Sequence, residues 1–154
     1  MQSIESMLPL RQIIAQTCAR YATITPAGII LTVSDKPYNP LLVSIVSYKS
    51  ARTRYVNRHP VCRSLNGISD INGRKRCAAC EDKRVCTPQL SLEIIYRAVP
   101  FRILIAYTSA KNFLLFMKSL YTHHQQLENI TVELSVIDRG RWGEVSFKAA
   151  ENQR

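Results

Sequence analysis

Four of the five cysteines lie in one basic stretch, CRSLNGISDINGRKRCAACEDKRVC, which begins at Cys62 and ends at Cys86. Between these two, Cys77 and Cys80 form a CxxC pair. The two thiolates of a CxxC pair can face one ion, and two more distant cysteines can complete the tetrahedral shell of a structural zinc. The spacing therefore predicts a zinc site formed by Cys62, Cys77, Cys80 and Cys86.

On the sequence alone, a disulfide framework and unligated thiols remain alternatives to zinc. The N-terminus MQSIESMLPLRQIIAQ lacks the pattern of a secretion signal, so a cytoplasmic protein is expected. In a reducing cytosol, clustered cysteines bind metal more often than they form disulfides. His59 is the nearest spare ligand, and Cys18 is expected to be an inert residue of the core. Four sulfur ligands leave no open coordination position, which favours a structural metal over a catalytic one.

The net charge of +10 is unevenly distributed along the chain. Residues 49–111 hold 13 basic and 4 acidic residues, whereas residues 1–48 hold 3 and 2 and residues 112–154 hold 5 and 5. Such a basic segment attracts a polyanion, most commonly nucleic acid, although a merely solubilising face is the alternative. A membrane partner is not expected, because no basic amphipathic helix accompanies the charge and no apolar run approaches the ~20 residues that span a bilayer.

Binding of single strands without sequence preference requires cations along the phosphates and aromatic rings on which bases stack. In the strand predicted over residues 44–56, Tyr48, Arg52 and Arg54 share one face, and Lys49 and Tyr55 share the other. We expect the first set to line the groove, with Trp142 as the main stacking residue. The full set of predicted nucleic-acid contacts is Tyr48, Arg52, Arg54, Arg63, Arg74, Lys75, Arg76, Arg97, Arg102, Lys111, Arg139, Arg141 and Trp142.

The elements that position these residues follow from the periodicity of apolar residues. Residues 3–21 have apolar residues at helical spacing, which predicts an N-terminal helix interrupted near Pro9. The segment TITPAGIILTVSDKPYNP predicts one short strand between turns, and LLVSIVSYKSARTRYV predicts a long strand. After the cysteines, we expect strands over Leu92–Ala98 and Phe101–Tyr107, with Val99 and Pro100 at the bend.

The clearest predicted helix follows these strands. Ser109 is the expected N-cap, and the i, i+3, i+4, i+7 pattern of a buried face is formed by Phe113, Phe116, Met117 and Leu120. The last segment, ITVELSVIDRGRWGEVSFKA, contains two alternating runs joined at Asp138, Arg139 and Gly140, which predicts a closing β-hairpin.

This element order predicts a single mainly β (α+β) domain over residues 1–154. The expected architecture is an OB-like five-stranded Greek-key barrel with its helix between the third and fourth strands. Residues 62–86 would be a zinc-loop insertion between early strands, and residues 3–21 an extra N-terminal helical extension. Several other small α+β arrangements share this element order.

Residues 61–120 of the chain resemble the zinc-containing single-stranded-DNA-binding proteins of bacteriophages and mobile genetic elements. In that family a Cys-Arg-Ser-x-Asp/Asn-Gly start leads through a CxxC pair and another cysteine into a short strand pair and a Ser-x-Lys-Asn-type helix start. The corresponding pieces are CRSLNG, CAAC, the fourth cysteine and VPFRILIAYTSAKNFLLFMKSL. The chain ends in ENQR, whereas many bacterial single-strand binders end in an acidic tail that recruits partners.

The resemblance implies an OB-like fold, a structural zinc on the four cysteines, and binding of single-stranded DNA without sequence preference. It also implies a role in replication, recombination or transfer of a phage or mobile element, with replication or recombination proteins and a homo-oligomer among the expected partners. RNA remains an alternative ligand, because stacking platforms accept either backbone.

Two other classes of function compete with this expectation. An enzyme is not expected, because the eleven acidic residues are scattered rather than clustered for metal-ion catalysis. The second class is a zinc-stabilised adaptor or regulator that binds a protein partner or duplex nucleic acid. Against duplex recognition, the strongest helix has only Lys111 and Lys118 as cations.

Overall fold

A computed structural model of the chain describes residues 20–31, 36–57, 59–65, 68, 73, 76–80 and 86–151. The short elements at the start of the described chain are β1 (Ala22–Thr25), β2 (Gly28–Leu31) and β3 (Pro37–Tyr38). They are followed by β4 (Leu41–Val56), β5 (His59–Ser64), a 3₁₀ turn (Cys77–Ala79), β6 (Thr87–Tyr96), β7 (Val99–Ala106), α1 (Tyr107–Thr122), a 3₁₀ turn (Leu127–Asn129), β8 (Val132–Asp138) and β9 (Gly143–Ala149).

The main sheet is antiparallel and centred on β4. Its strand order is β7-β6-β4-β8-β9, and β5 also pairs with β4. The first three residues of β4 pair with β8, the stretch 44–53 pairs with β6, and the stretch 52–56 pairs with β5. One strand of 16 residues therefore connects every part of the main sheet.

A register shift between Ile45 and Ser47 decides which side chains of β4 face the core. Before the shift, the buried side chains are Leu41, Val43 and Ile45. After it, Tyr48 pairs with the fully buried Leu92, so the even-numbered residues now face the core side. A β-bulge inserts one extra residue, and this reverses the alternation of faces. The odd-numbered residues after the bulge, 47–55, lie on the opposite side, which we call the outer face.

Helix α1 packs its buried face against both arms of the sheet. The ring of Phe113 contacts Tyr48 of β4 and Phe147 of β9, with centroid distances of 5.3 and 5.2 Å. Phe116 and Leu120 are buried as predicted, whereas Met117 is only half-buried. No helix in the described part of the chain is long and apolar enough to cross a bilayer.

The hairpin of β1 and β2 fills the side on which the sheet is open. The end strands β7 and β9 do not pair with each other within the described residues. On the β7 side, Tyr21 forms a parallel bridge with Arg102, whose N–H donates to the Arg20 carbonyl at 2.8 Å. On the β9 side, a Cβ built on Gly143 would lie 2.6 Å from the Thr25 carbonyl oxygen. The hairpin thus packs closely against both end strands.

Within the described residues, the mainly β fold with antiparallel sheets is confirmed, as are helix α1 and the closing hairpin of β8 and β9. The helix lies between β7 and β8, the third and fourth of the five strands on the main path. Two features differ from the predicted five-stranded barrel. Strand pairing does not close it in the described residues, and β5 adds a sixth strand.

Several local predictions were wrong. The turn between β6 and β7 is formed by Arg97 and Ala98, with φ of 48° and 65°, and Val99 and Pro100 lie inside β7. Positive φ at both loop positions matches the twist of a two-residue hairpin. Ser109 is not the N-cap, because α1 begins two residues earlier; its hydroxyl instead accepts a hydrogen bond from the Val145 N–H at 2.9 Å.

The N-terminal predictions meet the structure only in part. Residues 3–19 of the predicted helix over 3–21 lie outside the described residues, and Tyr21 is in a β-bridge rather than a helix. The segment predicted to form one short strand contains β1, β2 and β3. Asn39, directly after β3, exchanges two hydrogen bonds of 2.9 Å with the backbone of Val136, which ties this small sheet to β8.

Replacing Gly28 by alanine should destabilise the fold by roughly 2 kcal/mol or more. Gly28 has a φ of +151°, and a Cβ there would lie 2.6 Å from the Tyr38 carbonyl oxygen. The matched control is Gly140→Ala, where φ is +91° and no atom lies within 4 Å, so only the conformational cost of about 1 kcal/mol remains. Equal losses in urea unfolding would contradict the close approach of β2 to β3.

Candidate metal centre and nucleic-acid interface

Two of the four predicted zinc ligands, Cys62 and Cys86, lie on either side of one end of β4. Cys62 lies on β5 directly opposite Arg54 of β4, and Cys86 immediately precedes β6 on the other side of β4. Cys77 and Cys80 lie in and after the 3₁₀ turn, whose first N–H donates to the Ile68 carbonyl at 2.7 Å. All four cysteines are free and half-buried.

The Cys86 thiol lies within electrostatic range of the other three cysteines. Burial raises the pKa of the Cys86 thiol, and Cys80, Cys62 and Cys77 raise it further, while the Arg52 guanidinium acts in the opposite direction. Because thiolates repel one another, a cluster of this kind favours either protonated thiols or a bound cation.

The donor set fits zinc by its chemistry, since four thiolates are the ligands of a closed structural site. In the described part of the chain, no three His, Cys, Asp or Glu side chains are arranged as a metal-holding group. His59, the spare ligand considered from the sequence, is exposed at the start of β5.

The outer face carries a polar network around Thr53, which is fully buried. The Thr53 hydroxyl donates to Gln89 Oε1 at 2.6 Å and accepts from Arg63 Nε at 3.4 Å. Gln89 Nε2 in turn donates to the hydroxyl of Tyr55 at 3.3 Å. The guanidinium of Arg63 lies 5.9 Å from the centre of the Tyr21 ring, within cation–π range. The Arg63 side chain thus extends from β5 to Tyr21, which is bridged to Arg102 of β7.

A second candidate surface is a cleft at the tip of the β8–β9 hairpin, with a volume of about 530 Å³. We call it the tip cleft. Trp142, which is 47% exposed, and Tyr107, which is 72% exposed, bring aromatic rings to it, and Arg141 brings a cation. Its lining also includes Leu104 and Ala106, both on the outer side of β7. The tip cleft is therefore continuous with the outer face.

The hairpin tip itself is held by local contacts. The Arg139 N–H donates to the Trp142 carbonyl at 3.0 Å, and the Arg139 guanidinium pairs with Glu144 at 3.3 Å. Asp138 Oδ1 accepts from the Gly140 N–H at 2.8 Å. These contacts fix the backbone on which Trp142 is carried, and they engage Arg139 with an acidic neighbour.

The predicted nucleic-acid contacts do not form one surface. Arg63 and Arg102 lie on the outer face, and Arg141 and Trp142 line the tip cleft. Tyr48, Arg52 and Arg54 were predicted to line the groove together. They lie instead on the core side of β4, where the Tyr48 ring contacts Phe113. The remaining described members are Arg52 and Arg54 near the cysteines, exposed Arg76 before the 3₁₀ turn, Arg97 stacked at 5.3 Å on Tyr96, exposed Lys111 on α1, and Arg139. Arg74 and Lys75 lie outside the described residues.

The residues that sequence reasoning missed are those whose role depends on other strands. Tyr21 lay in a predicted helix, Tyr107 in a predicted strand, and nothing in the pattern paired Thr53 with Gln89. Arg52 was assigned to nucleic acid, but the structure also places it near Cys86. The prediction that Tyr48, Arg52 and Arg54 share one face of β4, opposite Lys49, agrees with the register after the bulge.

Comparisons with known proteins add no further constraint: no protein-family model, curated protein or solved structure matches this chain.

Replacing Thr53 by valine should lower the free energy of unfolding by about 1–3 kcal/mol, because the shape is kept while Arg63 and Gln89 lose a buried hydrogen-bond partner. The matched control is Thr87→Val at the paired position on β6. Both variants would be compared with the wild type by urea unfolding. If Thr53→Val costs no more than Thr87→Val, the buried network does not contribute to stability.

Proposed function

We propose that this protein binds single-stranded nucleic acid without sequence preference, through the outer face and the tip cleft, and that a structural zinc stabilises the adjacent loop. The observation that carries the proposal is the continuity of these two surfaces. Cations and aromatic rings stand at both ends of a path that crosses the sheet.

The register of the strands defines this path. Arg63 is opposite Thr53 on β5 and β4, and the next row, Ala51, Gln89 and Ala106, leads across β6 to β7. Beyond Ala106 lies the tip cleft. Three strand spacings separate β5 from β7, which corresponds to roughly 14 Å along a flat sheet. A strand of a few nucleotides is long enough to follow such a path.

The side chains along the path suit a flexible single strand. In its middle, Ala51 and Ser91 are buried, so the proposed contacts are made by the exposed and half-buried side chains around them. Lys49, Arg63 and Arg102 supply positive charge, and Glu93 is the acidic residue among them. In the tip cleft, Trp142 offers a ring on which a base can stack, an interaction worth roughly 1–3 kcal/mol. The bases of a duplex are stacked on each other and cannot reach this ring.

The order of the strands also supports an OB-like architecture. The five main strands can be numbered 1 to 5 in chain order, as β4, β6, β7, β8 and β9. Their order across the sheet is then 3-2-1-4-5, and the helix follows strand 3. A five-stranded, partly open Greek-key barrel with this helix position is the OB arrangement, which commonly binds oligonucleotides. The proposed zinc loop is then the connection between the first and second strands.

Cys62, Cys77, Cys80 and Cys86 would hold the zinc. When bound, the ion would link β5 to the start of β6 and neutralise the repulsion among the thiolates. Such a link would fix the strand that carries Arg63.

The wider setting follows the family that the sequence resembles. We place the protein in the cytoplasm of a bacterial or phage-infected cell, where it would protect or present single strands during replication, recombination or transfer of a phage or mobile element. Replication or recombination proteins are the proposed partners.

The proposal is tested by fluorescence-anisotropy titration of labelled oligo-dT, a mixed-sequence single strand and the matching duplex, each at low and moderate salt. Tight binding of both single strands, much weaker binding of the duplex and a steep salt dependence would support it. Equal affinity for all three, or no binding, would contradict it.

Trp142→Ala should weaken single-strand binding by about fivefold or more, because one stacked base is lost. Arg141→Ala should reduce the slope of log K against log salt by about 0.7, the value for one phosphate contact. The matched control is Tyr121→Ala, since Tyr121 is 84% exposed and lies outside the outer face and the tip cleft. If the control loses as much affinity as Trp142→Ala, the tip cleft is not the stacking site.

Cys77→Ser combined with Cys80→Ser should abolish bound zinc and lower the melting temperature, because the loop has few apolar residues to bury. Metal content would be measured by mass spectrometry and stability by thermal unfolding, with Cys18→Ser as the control that keeps its zinc. The wild type should also lose zinc as the pH is lowered, since the ion must displace protons from the thiols. Full metal content in the double variant would contradict the site.

A further inference from the structure

Helix α1 carries an exposed stripe directly opposite its buried face. The stripe repeats at helical spacing through Tyr107, Lys111, Leu114, Lys118 and Tyr121, all of them exposed. At 100° per residue these five positions fall within an arc of roughly 80°, and the buried residues Phe113, Phe116 and Leu120 lie on the other side of the helix. Leu115 borders the stripe.

The apolar residues of the stripe and of its border are more than half exposed. Leu114 is 55% exposed, Leu115 54% and Tyr121 84%. Single exposed leucines need no explanation, but adjacent leucines flanked by aromatic rings on one helix form a contiguous apolar surface of the kind that marks an interaction site. The stripe is therefore a candidate docking surface.

A neighbouring cleft extends this surface toward the sheet. It has a volume of about 450 Å³ and lies between the end of α1, β4 and the 3₁₀ turn after the helix. Tyr121 belongs to both the stripe and the cleft, and Val46, Tyr48 and Met117 supply apolar lining. Val46, the bulge residue, and Tyr48 are each 47% exposed. The apolar surface thus continues from the helix onto the strand.

The charge of the helix indicates the chemistry of its partner. Lys111 and Lys118 lie on the stripe, and α1 contains no acidic residue. Two copies of the stripe packed against each other would bring lysines near lysines, which disfavours a symmetric dimer through this face. Phosphates would satisfy the lysines but would leave Leu114 and Leu115 exposed to water. An occupant must supply both acidic and apolar groups.

We propose that the stripe of α1 docks an acidic amphipathic helix of a partner protein. Apolar residues of the partner would cover Leu114, Leu115 and Tyr121, and its Asp or Glu side chains would face Lys111 and Lys118. This is recognition of an amphipathic helix by a complementary apolar surface, with the charges selecting the partner. Tyr107 also lines the tip cleft, but the proposed contacts of the two leucines, Tyr121 and the two lysines do not depend on single-strand binding and would remain if that binding failed.

The test uses the full chain and a designed, labelled 21-residue helical peptide with leucines on one face and glutamates beside them. A counterpart peptide carries lysine in place of every glutamate. In anisotropy titrations the glutamate peptide should bind the wild type at least tenfold more tightly than the lysine peptide. Equal binding of the two peptides, or no binding of either, would overturn the proposal.

Variants locate the binding on the stripe. Lys118→Glu should weaken binding of the glutamate peptide by about fivefold or more, which corresponds to the loss and reversal of one partly exposed charge pair. Leu114→Ser combined with Leu115→Ser should remove most of the binding. The matched control is Lys148→Glu, which reverses an exposed lysine on β9 and should leave the affinity unchanged. Equal loss in this control would mean that only net charge is recognised and would overturn the proposal.

Two further measurements exclude the other occupants. The double serine variant should keep the wild-type affinity for oligo-dT if the wild type binds it, and loss of that affinity in a folded variant would make the stripe a nucleic-acid surface. Sedimentation should show the same mass for the wild type and the double serine variant. A wild-type dimer that this variant abolishes would identify the stripe as a self-interface and overturn the proposal.

Discussion

The pairing of β4 with three different strands is the constraint on which the rest of the structure depends. Its first residues pair with β8, its middle with β6 and its end with β5, so both arms of the sheet are joined through one segment. The bulge at Val46 makes this possible while keeping the core continuous. Without the extra residue, Tyr48 would turn away from Phe113 and Lys49 would face the helix, which would bury a charge.

The same bulge distributes the basic residues of the middle segment. Lys49 is placed on the outer face, whereas Arg52 and Arg54 lie on the other side of the strand beside the cysteines. Arg63 comes from β5 and rejoins the outer face through its contact with Thr53. A sequence with one broad excess of positive charge therefore folds into separate basic surfaces, one near the clustered thiols and one along the proposed strand path.

The short N-terminal hairpin completes both the core and the tip cleft. It lies between the end strands β7 and β9, where Gly143 permits a close approach to Thr25. Ile24 and Pro26 of this hairpin line the tip cleft together with Trp142. The cleft thus depends on parts of the chain that are distant in sequence, and so does the exposed stripe of α1, whose orientation is set by Phe113 and Phe116 packing against Phe147.

The sequence by itself determined the features that depend on local pattern: the mainly β composition, helix α1 with its buried phenylalanines, the closing hairpin, and the placement of Tyr48, Arg52 and Arg54 on one face of β4. It also grouped the four cysteines, because their spacing is a local property. Only the tertiary structure decided which face of β4 is inside, that Ser109 binds the backbone of β9 rather than capping the helix, and that Tyr21 meets Arg63. These outcomes depend on a bulge and on contacts between segments that are far apart in the chain. The free energy that stabilises them comes from tertiary packing, which a short stretch of sequence does not reveal.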